Sequence, residues 1–401
     1  WYARRNIWNW LDYCTGFDGG NTEGVQYWQY GTLNFLRFAR ALERVLGHDD
    51  GLLSHPGITK TMNMIRVALS NDGATHGMND TIPLPVGAPI ADFCAGRYGD
   101  AFALWYADHC ERAFRERLAA GKPGPYRSEP FWRLLARPAV PESFEPPALP
   151  EVFVLEDIHY GILRSAPKHD CRLVAGLKGA RAPYTHHNQP DTGAFFVHVR
   201  GERLMIDPGY YKGTPDCHSL PIIGGVTPHQ AVATTGRLTS RRREDGVRAL
   251  VCDATPAYSG AAERAVRFLV MVGEDSLVVL DDIVVAADKQ ASVLTQLQCG
   301  GVTSHLGDNR RCVANDGETA RLRIEALTQD EVEFELHAER SLKDIHWGYS
   351  FADCRHFPVT AEYRASADEP FVFVLADVEN EAPASRLNRT DGAIEVTVPN
   401  G

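Results

Sequence analysis

At 401 residues the chain is longer than one hydrophobic core usually fills, so two domains are expected. Its composition, 44% apolar and 23% charged, is ordinary for a globular protein, and no apolar run is long enough to cross a bilayer. A formal net charge of −11 argues against general nucleic-acid binding, which needs a basic surface.

The chain opens WYARRNIWNWLDY, with neither an initiator Met nor a signal-peptide pattern. This reads like the middle of a helix, so an upstream part is expected to be absent. Residues 1–120 read as helical. After GFDGGNTEG, the segment VQYWQYGTLNFLRFARALERVLG places Phe35, Phe38, Leu42 and Val45 at helical spacing, with Asn21 or Thr22 as the N-cap and Gly47 at the end. Further helices are expected over 58–69 and 101–118. Residues 121–150 hold eight of the 24 prolines and read as an extended connector, broken by a short helix over 131–135.

From 151 to 401 the pattern changes. CRLVAGLKG, GAFFVHVRG, RLMID, RAVRFLVMVG, SLVVLDDIVV, TARLRIEAL, DEVEFELHA and EPFVFVLADV are short β-prone runs divided by Gly, Asp and Asn. Successive strands without intervening helices imply an antiparallel sandwich. The fold class expected is therefore multidomain α and β, a helical domain followed by a large antiparallel β-sandwich. The RRR at 241–243 reads as a solvated loop. Nine dispersed cysteines (Cys14, Cys94, Cys110, Cys171, Cys217, Cys252, Cys299, Cys312 and Cys354) include no CxxC pair, which argues against a zinc knuckle and leaves room for one or two disulfides.

Three constellations carry chemistry. HHNQPDTGAFFVHVRGERLMIDPGYY (186–211) reads as strand, tight Gly-Glu turn, strand and an Asp-Pro-Gly stop. His187, Gln189 and Asp191 alternate along its start, Asp207 ends the returning strand, and His229 in VTPHQAVATT offers a further imidazole. These residues suit a zinc or harder cation site; on the plainer reading, Asp191 and Asp207 cap turns and Gln189 pairs with backbone. In FDGGNTEGVQYWQYG, Glu23, Tyr27 and Tyr30 line one helical end, as an aromatic core stripe or as a phenol able to protonate a leaving oxygen. In NDGATHGMNDTIPL, Asn79 and Asp80 read as turn or cap residues, and His76 shows no evident partner.

Together EGVQYWQYG, PGITKTMNM followed by NDG and ND, ILRS, HHNQPDTGAF with IDPG, and PHQAVATT resemble the heparinase II/III-like polysaccharide lyases over residues 12–235. The resemblance implies an (α/α) toroid, here incomplete, packed on an antiparallel sandwich. It also implies β-elimination on chains of 4-linked uronic acids, glycosaminoglycan-like or alginate-like. The partner is then an acidic polysaccharide or oligosaccharide, and the location periplasmic or secreted. By motif position Tyr27 and His187 match the catalytic pair, with base and acid roles set by the C5 epimer. Glu23, Tyr30, His186 and Arg181 are expected to bind substrate, with Lys178 and Arg164 as further cationic candidates. Gln189, Asp207 and His229 match positions that hold one structural divalent metal in some members, zinc or calcium; some branches carry His at the position of Gln189. No organic cofactor is implied. The family toroid has further helices upstream, with an Asn or His that neutralises the substrate carboxylate, and the chain is expected to begin after them. The rival reading is a non-catalytic glycan-binding relative.

Overall fold

The computed structural model describes residues 2–121, 138, 145–181, 187, 189–209, 215–229, 236–315, 319–327, 332–340, 355–377, 384–390 and 393–398. The short helix expected over 131–135, His186 and Cys354 lie outside them. The other eight cysteines are free thiols.

Among the described residues six α-helices precede the strands: α1 (Tyr2–Cys14), α2 (Val25–Leu46), α3 (Pro56–Thr59), α4 (Asn63–Ala68), α5 (Ala88–Tyr98) and α6 (Ala101–Ala119). Helix α2 buries Val25, Trp28, Phe35, Leu36 and Ala39 on one side. Its last turn emerges into solvent, where Val45 is 81% exposed, so the apolar stripe ends earlier than its spacing suggests. Gly47 closes it in the left-handed conformation, its N–H on the Glu43 carbonyl. The start is not capped by Asn21 or Thr22. Gly24 occupies that position, and the Val25 N–H goes instead to Thr81 Oγ1, 3.1 Å away. Asn21 Oδ1 accepts from Glu23 N within the preceding turn. A tertiary contact has replaced the local cap. The helix expected over 58–69 divides into α3 and α4. Helix α5, which apolar spacing alone did not suggest, runs between two left-handed glycines, Gly87 and Gly99.

The strands are β1 (Val152–Leu155), β2 (Tyr160–Arg164), β3 (Leu173–Lys178), β4 (Phe195–Val199), β5 (Glu202–Met205), β6 (Pro221–Ile223), β7 (Arg237–Arg242), β8 (Arg248–Asp253), β9 (Ala262–Val272) and β10 (Ser276–Val285). They continue as β11 (Ser292–Cys299), β12 (Val302–Leu306), β13 (Asp308–Asn315), β14 (Leu322–Ala326), β15 (Phe334–Leu336), β16 (Phe357–Arg364), β17 (Phe371–Asp377), β18 (Arg386–Thr390) and β19 (Ala393–Thr397). One nine-stranded sheet runs β1-β2-β3-β4-β5-β11-β16-β15 with β6 on β11, and an eight-stranded sheet runs β12-β13-β14-β17-β10-β9-β8-β7. Arg241 and Arg242 belong to edge strand β7 rather than to a loop. The two sheets share one apolar core, as a sandwich requires.

Strands β2, β3 and β4 are buried on both faces, and the period of two assigns each side chain. Leu173, Ala175 and Leu177 of β3, with Phe195, Val197 and Val199 of β4, point into the sandwich. Val174 and Phe196 instead join the helical core, together with Tyr160 and Ile162 of β2. Helices therefore pack on the outer face of the nine-stranded sheet. Gly176 leaves room for the Phe196 ring, which a Cβ there would meet at 2.1 Å. The polar members of the outer face are Arg164, Lys178 and His198, all essentially buried. Arg164 donates to the carbonyls of Arg66 (2.7 Å) and Leu69 (3.0 Å), satisfying the end of α4. It bridges the two parts and is closed to substrate. The β4–β5 turn is Arg200–Gly201, both at positive φ, one residue earlier than the Gly-Glu turn expected.

Candidate active site

Tyr27, in the first turn of α2, stacks on His187 from the segment between β3 and β4. The ring centroids are 3.4 Å apart and the planes 13° from parallel. Both rings keep partial exposure. The helical part thus contributes a phenol and the sandwich an imidazole to one point.

His187 is held from below by Asp80, whose Oδ2 lies 2.8 Å from Nδ1. Gln189 Nε2 donates to Asp80 Oδ1 at 3.0 Å and to the Gly209 carbonyl at 2.9 Å. Burial raises the Asp80 carboxyl above its ordinary range, opposed by the hydrogen bonds from His187 and Gln189. An ionised Asp80 only accepts, so its bond selects the Nδ1–H tautomer of His187 and leaves the lone pair on Nε2. The sequence reads Asp80 as a turn residue. It is one, and Thr81 beside it ties the same turn to α2 by bonding Met78 O (2.7 Å) and Val25 N. The signal is the ND pair of NDGATHGMNDTIPL; what hides it is that its partner lies 107 residues away.

Behind this layer is a buried charge cluster. Lys178 Nζ donates to Asn79 Oδ1 and Asp191 Oδ1, and at 3.4 Å to the Gln189 carbonyl. Lys178 is therefore closed to substrate, like Arg164. His218 Nδ1 lies 2.8 Å from Asp207 Oδ2 and 3.9 Å from Asp191 Oδ2. Burial disfavours charge on His218, but the Asp207 and Asp191 carboxylates outweigh it and raise its pKa. Asp207 Oδ1 also accepts from Gly209 N at 3.3 Å.

Donor atoms of Asp191, Asp207 and His218 lie within 4.8 Å of one another, a chemistry that zinc or calcium accepts. Lys178 lies against Asp191 and His218 Nδ1 against Asp207. A divalent ion held by these three would take the place of both contacts and release the imidazole proton. Of the three ligands implied by resemblance, Gln189 and Asp207 both meet Gly209, whereas His229 is exposed with its amide on the Ala257 carbonyl (2.7 Å). The imidazole at Asp207 is His218.

Of the expected substrate-binding residues, Glu23 and Arg181 flank Cys14. Burial pushes that thiol to about 12, with Glu23 adding to the shift and Arg181 opposing it. Arg181 also donates to the Asp12 carbonyl at 3.3 Å. Tyr30, one turn after Tyr27, is 69% exposed. His76 is buried against Phe196 and accepts from Met78 N, so its role is structural.

Helices laid on the outer face of an antiparallel sandwich, with an aromatic–imidazole pair at their junction, define a class of architecture rather than an activity. Within it, the heparinase II/III-like C-terminal family profile matches residues 147–347, half of the chain, and the chain belongs to that family. No curated protein matches in sequence. Among solved structures, the heparan sulfate lyase HepC from Pedobacter heparinus superposes with a TM-score of 0.68 at 16% identity, over 96% of this chain and 57% of that one. A heparinase III structure gives 0.69 at 13% identity, over 98% and 62%. The chain thus spans about 57–62% of the length of these neighbours. At such identities the likeness is one of fold. No described helix is long and apolar enough to cross a membrane.

Proposed function

We propose that the chain carries the active centre of a polysaccharide lyase that cleaves uronic-acid-containing polysaccharides by β-elimination. The observation that carries this reading is the Tyr27–His187 pair, brought together from the two parts and backed by Asp80. Elimination breaks the C5–H and C4–O4 bonds of the uronate and forms a C4=C5 double bond. One group must take the C5 proton and another must protonate the departing oxygen. The bond from Asp80 favours His187 Nε2 as the base and leaves the Tyr27 phenol as the acid. The substrate carboxylate has to be neutralised for C5 to become acidic. We assign that neutralisation to Arg181, which lies beside Cys14 and Asp12, and the sugar contacts to Glu23, Tyr30 and His186. On this reading the helical part is a segment of an (α/α) toroid, and the enzyme works in the periplasm or outside the cell. A net charge of −11 gives a polyanion no long-range attraction, so recognition is local.

The test is incubation with heparan, chondroitin, hyaluronan and alginate, following the ultraviolet absorbance of the unsaturated uronate. Tyr27→Phe and His187→Ala should each reduce the rate by about 10²–10⁴-fold. Glycan binding without any absorbance change would establish a non-catalytic relative instead.

A further inference from the structure

We propose that Lys178 is a positioning residue: its buried ammonium joins Asn79 of the helical part to Asp191 and Gln189 of the sandwich, and so fixes the turn that aims Asp80 at His187. This rests on the Tyr27–His187 reading and adds to it a residue that never touches substrate.

Lys178 ends β3 on the outer face, and only 1% of its surface is accessible. An ammonium has three donors, and all three are placed: on Asn79 Oδ1, Asp191 Oδ1 and the Gln189 carbonyl. Asn79 is one of four described non-glycine residues at positive φ, here 55°. Such a backbone is strained and persists only where its surroundings over-determine it. They do so from two sides: Lys178 grips the side-chain oxygen, while Nδ2 donates to the Thr22 carbonyl at 3.0 Å. The next residue is Asp80. Three tethers, from β3, from the loop before α2 and from Thr81 to Val25, therefore set where the Asp80 carboxylate points. Lys178 also holds the backbone of Gln189, whose amide reaches the other oxygen of Asp80. One ammonium thus locates both neighbours of His187.

A buried ion pair gains little over an apolar pair of the same volume, so the contribution assigned to Lys178 is geometric. Removing the lysine alone would strand the Asp191 carboxylate, and the test therefore uses Lys178→Met with Asp191→Asn, which keeps the volume and deletes both charges. Melting should stay within a few degrees of wild type. On the best uronate substrate kcat should fall about 10- to 100-fold with KM unchanged, as small misplacements of a base do. Histidine ¹⁵N spectra should show His187 losing its preference for the Nδ1–H tautomer. Asn79→Gly is the second variant. It relieves the positive φ while removing the ammonium's acceptor and the bond to Thr22, and should give the same kcat loss in protein shown by its melting curve to be folded. Either folded variant with wild-type kcat and unchanged His187 signals overturns the proposal. If wild type eliminates none of the uronates, the lyase reading fails, and the tautomer spectra alone decide the part assigned to Lys178.

Discussion

Asp80 has two oxygens and two tasks, one on His187 Nδ1 and one on Gln189 Nε2. Asp80→Asn meets the geometry of both and reverses the chemistry of one. The amide oxygen still accepts from Gln189, but the NH₂ group donates to His187 Nδ1, moving the ring proton to Nε2 and removing the base. The expected result is a kcat lower by about 10²–10⁴-fold with KM little changed. Stability should move the other way. Because the folded protein raises the Asp80 pKa above its ordinary 3.8, it holds that proton to higher pH than the unfolded chain does. Ionising Asp80 therefore costs stability as pH rises through the folded value, and the neutral amide avoids that cost. A melting temperature equal to or above wild type, with the rate lost, is the outcome expected near neutral pH. A variant that is unstable yet fully active would contradict both halves.

At the scale of elements, what was legible was whatever is local. The eight apolar β runs all became strands, and Gly47 ends α2 as its position suggests. The pieces that failed are those fixed by distant partners. The N-terminus of α2 is satisfied by Thr81, and Lys178 and Arg164 look like surface cations until the alternation of β2 and β3 turns them toward the helices. The same holds for Asp80 in the site, whereas Tyr27 and His187 were visible through resemblance. Glycine at the junction shows how close the parts come. A Cβ on Gly77 would lie 2.2 Å from the Asp207 carbonyl oxygen and 3.3 Å from Gly209 N. Backbone cannot swing aside as a flexible side chain does, so Gly77→Ala must push the turn bearing Asp80 off the sandwich. We expect a loss of about 1–3 kcal/mol in denaturant unfolding together with a lower kcat. Unchanged stability would mean that the two surfaces are not in contact there.

Over the whole molecule, the junction of helices and sandwich is maintained with buried neutral histidines, and this sets its response to acid. Burial, with Arg203 adding and Asp207 opposing, lowers the pKa of His76 from 6.5 to about 3. Burial, with Arg203 and His76, takes His198, which bonds Ser70 of the helical part, well below the ordinary value. Burial and Arg340 lower His356, on Gln298 inside the sandwich, to about 4. In each case the unfolded chain takes a proton near pH 6.5 that the folded chain refuses, so stability falls as pH drops through that window. The slope is about 1.4 kcal/mol per pH unit for each histidine, ending near pH 4 for His356 and near pH 3 for His76. Other groups act in the opposite sense. His218, with its raised pKa, adds stability that is complete below 6.5 and lost at higher pH, and Asp80, Asp18 and Asp191, whose carboxyls burial raises, are relieved of their charge as pH falls. Burial lowers His55, His109, His159 and His169 as well, and seven histidines against these should leave a net decline from pH 6.5 to 4, read by denaturant unfolding at half-unit steps. His76→Asn isolates one of them, since its amide oxygen can still accept from Met78 N while nothing titrates. The slope should then fall by about one proton, or 1.4 kcal/mol per unit, between pH 6 and 4. A slope identical to wild type would mean that His76 is protonated in the folded protein, and the junction would then owe its acid sensitivity to His198.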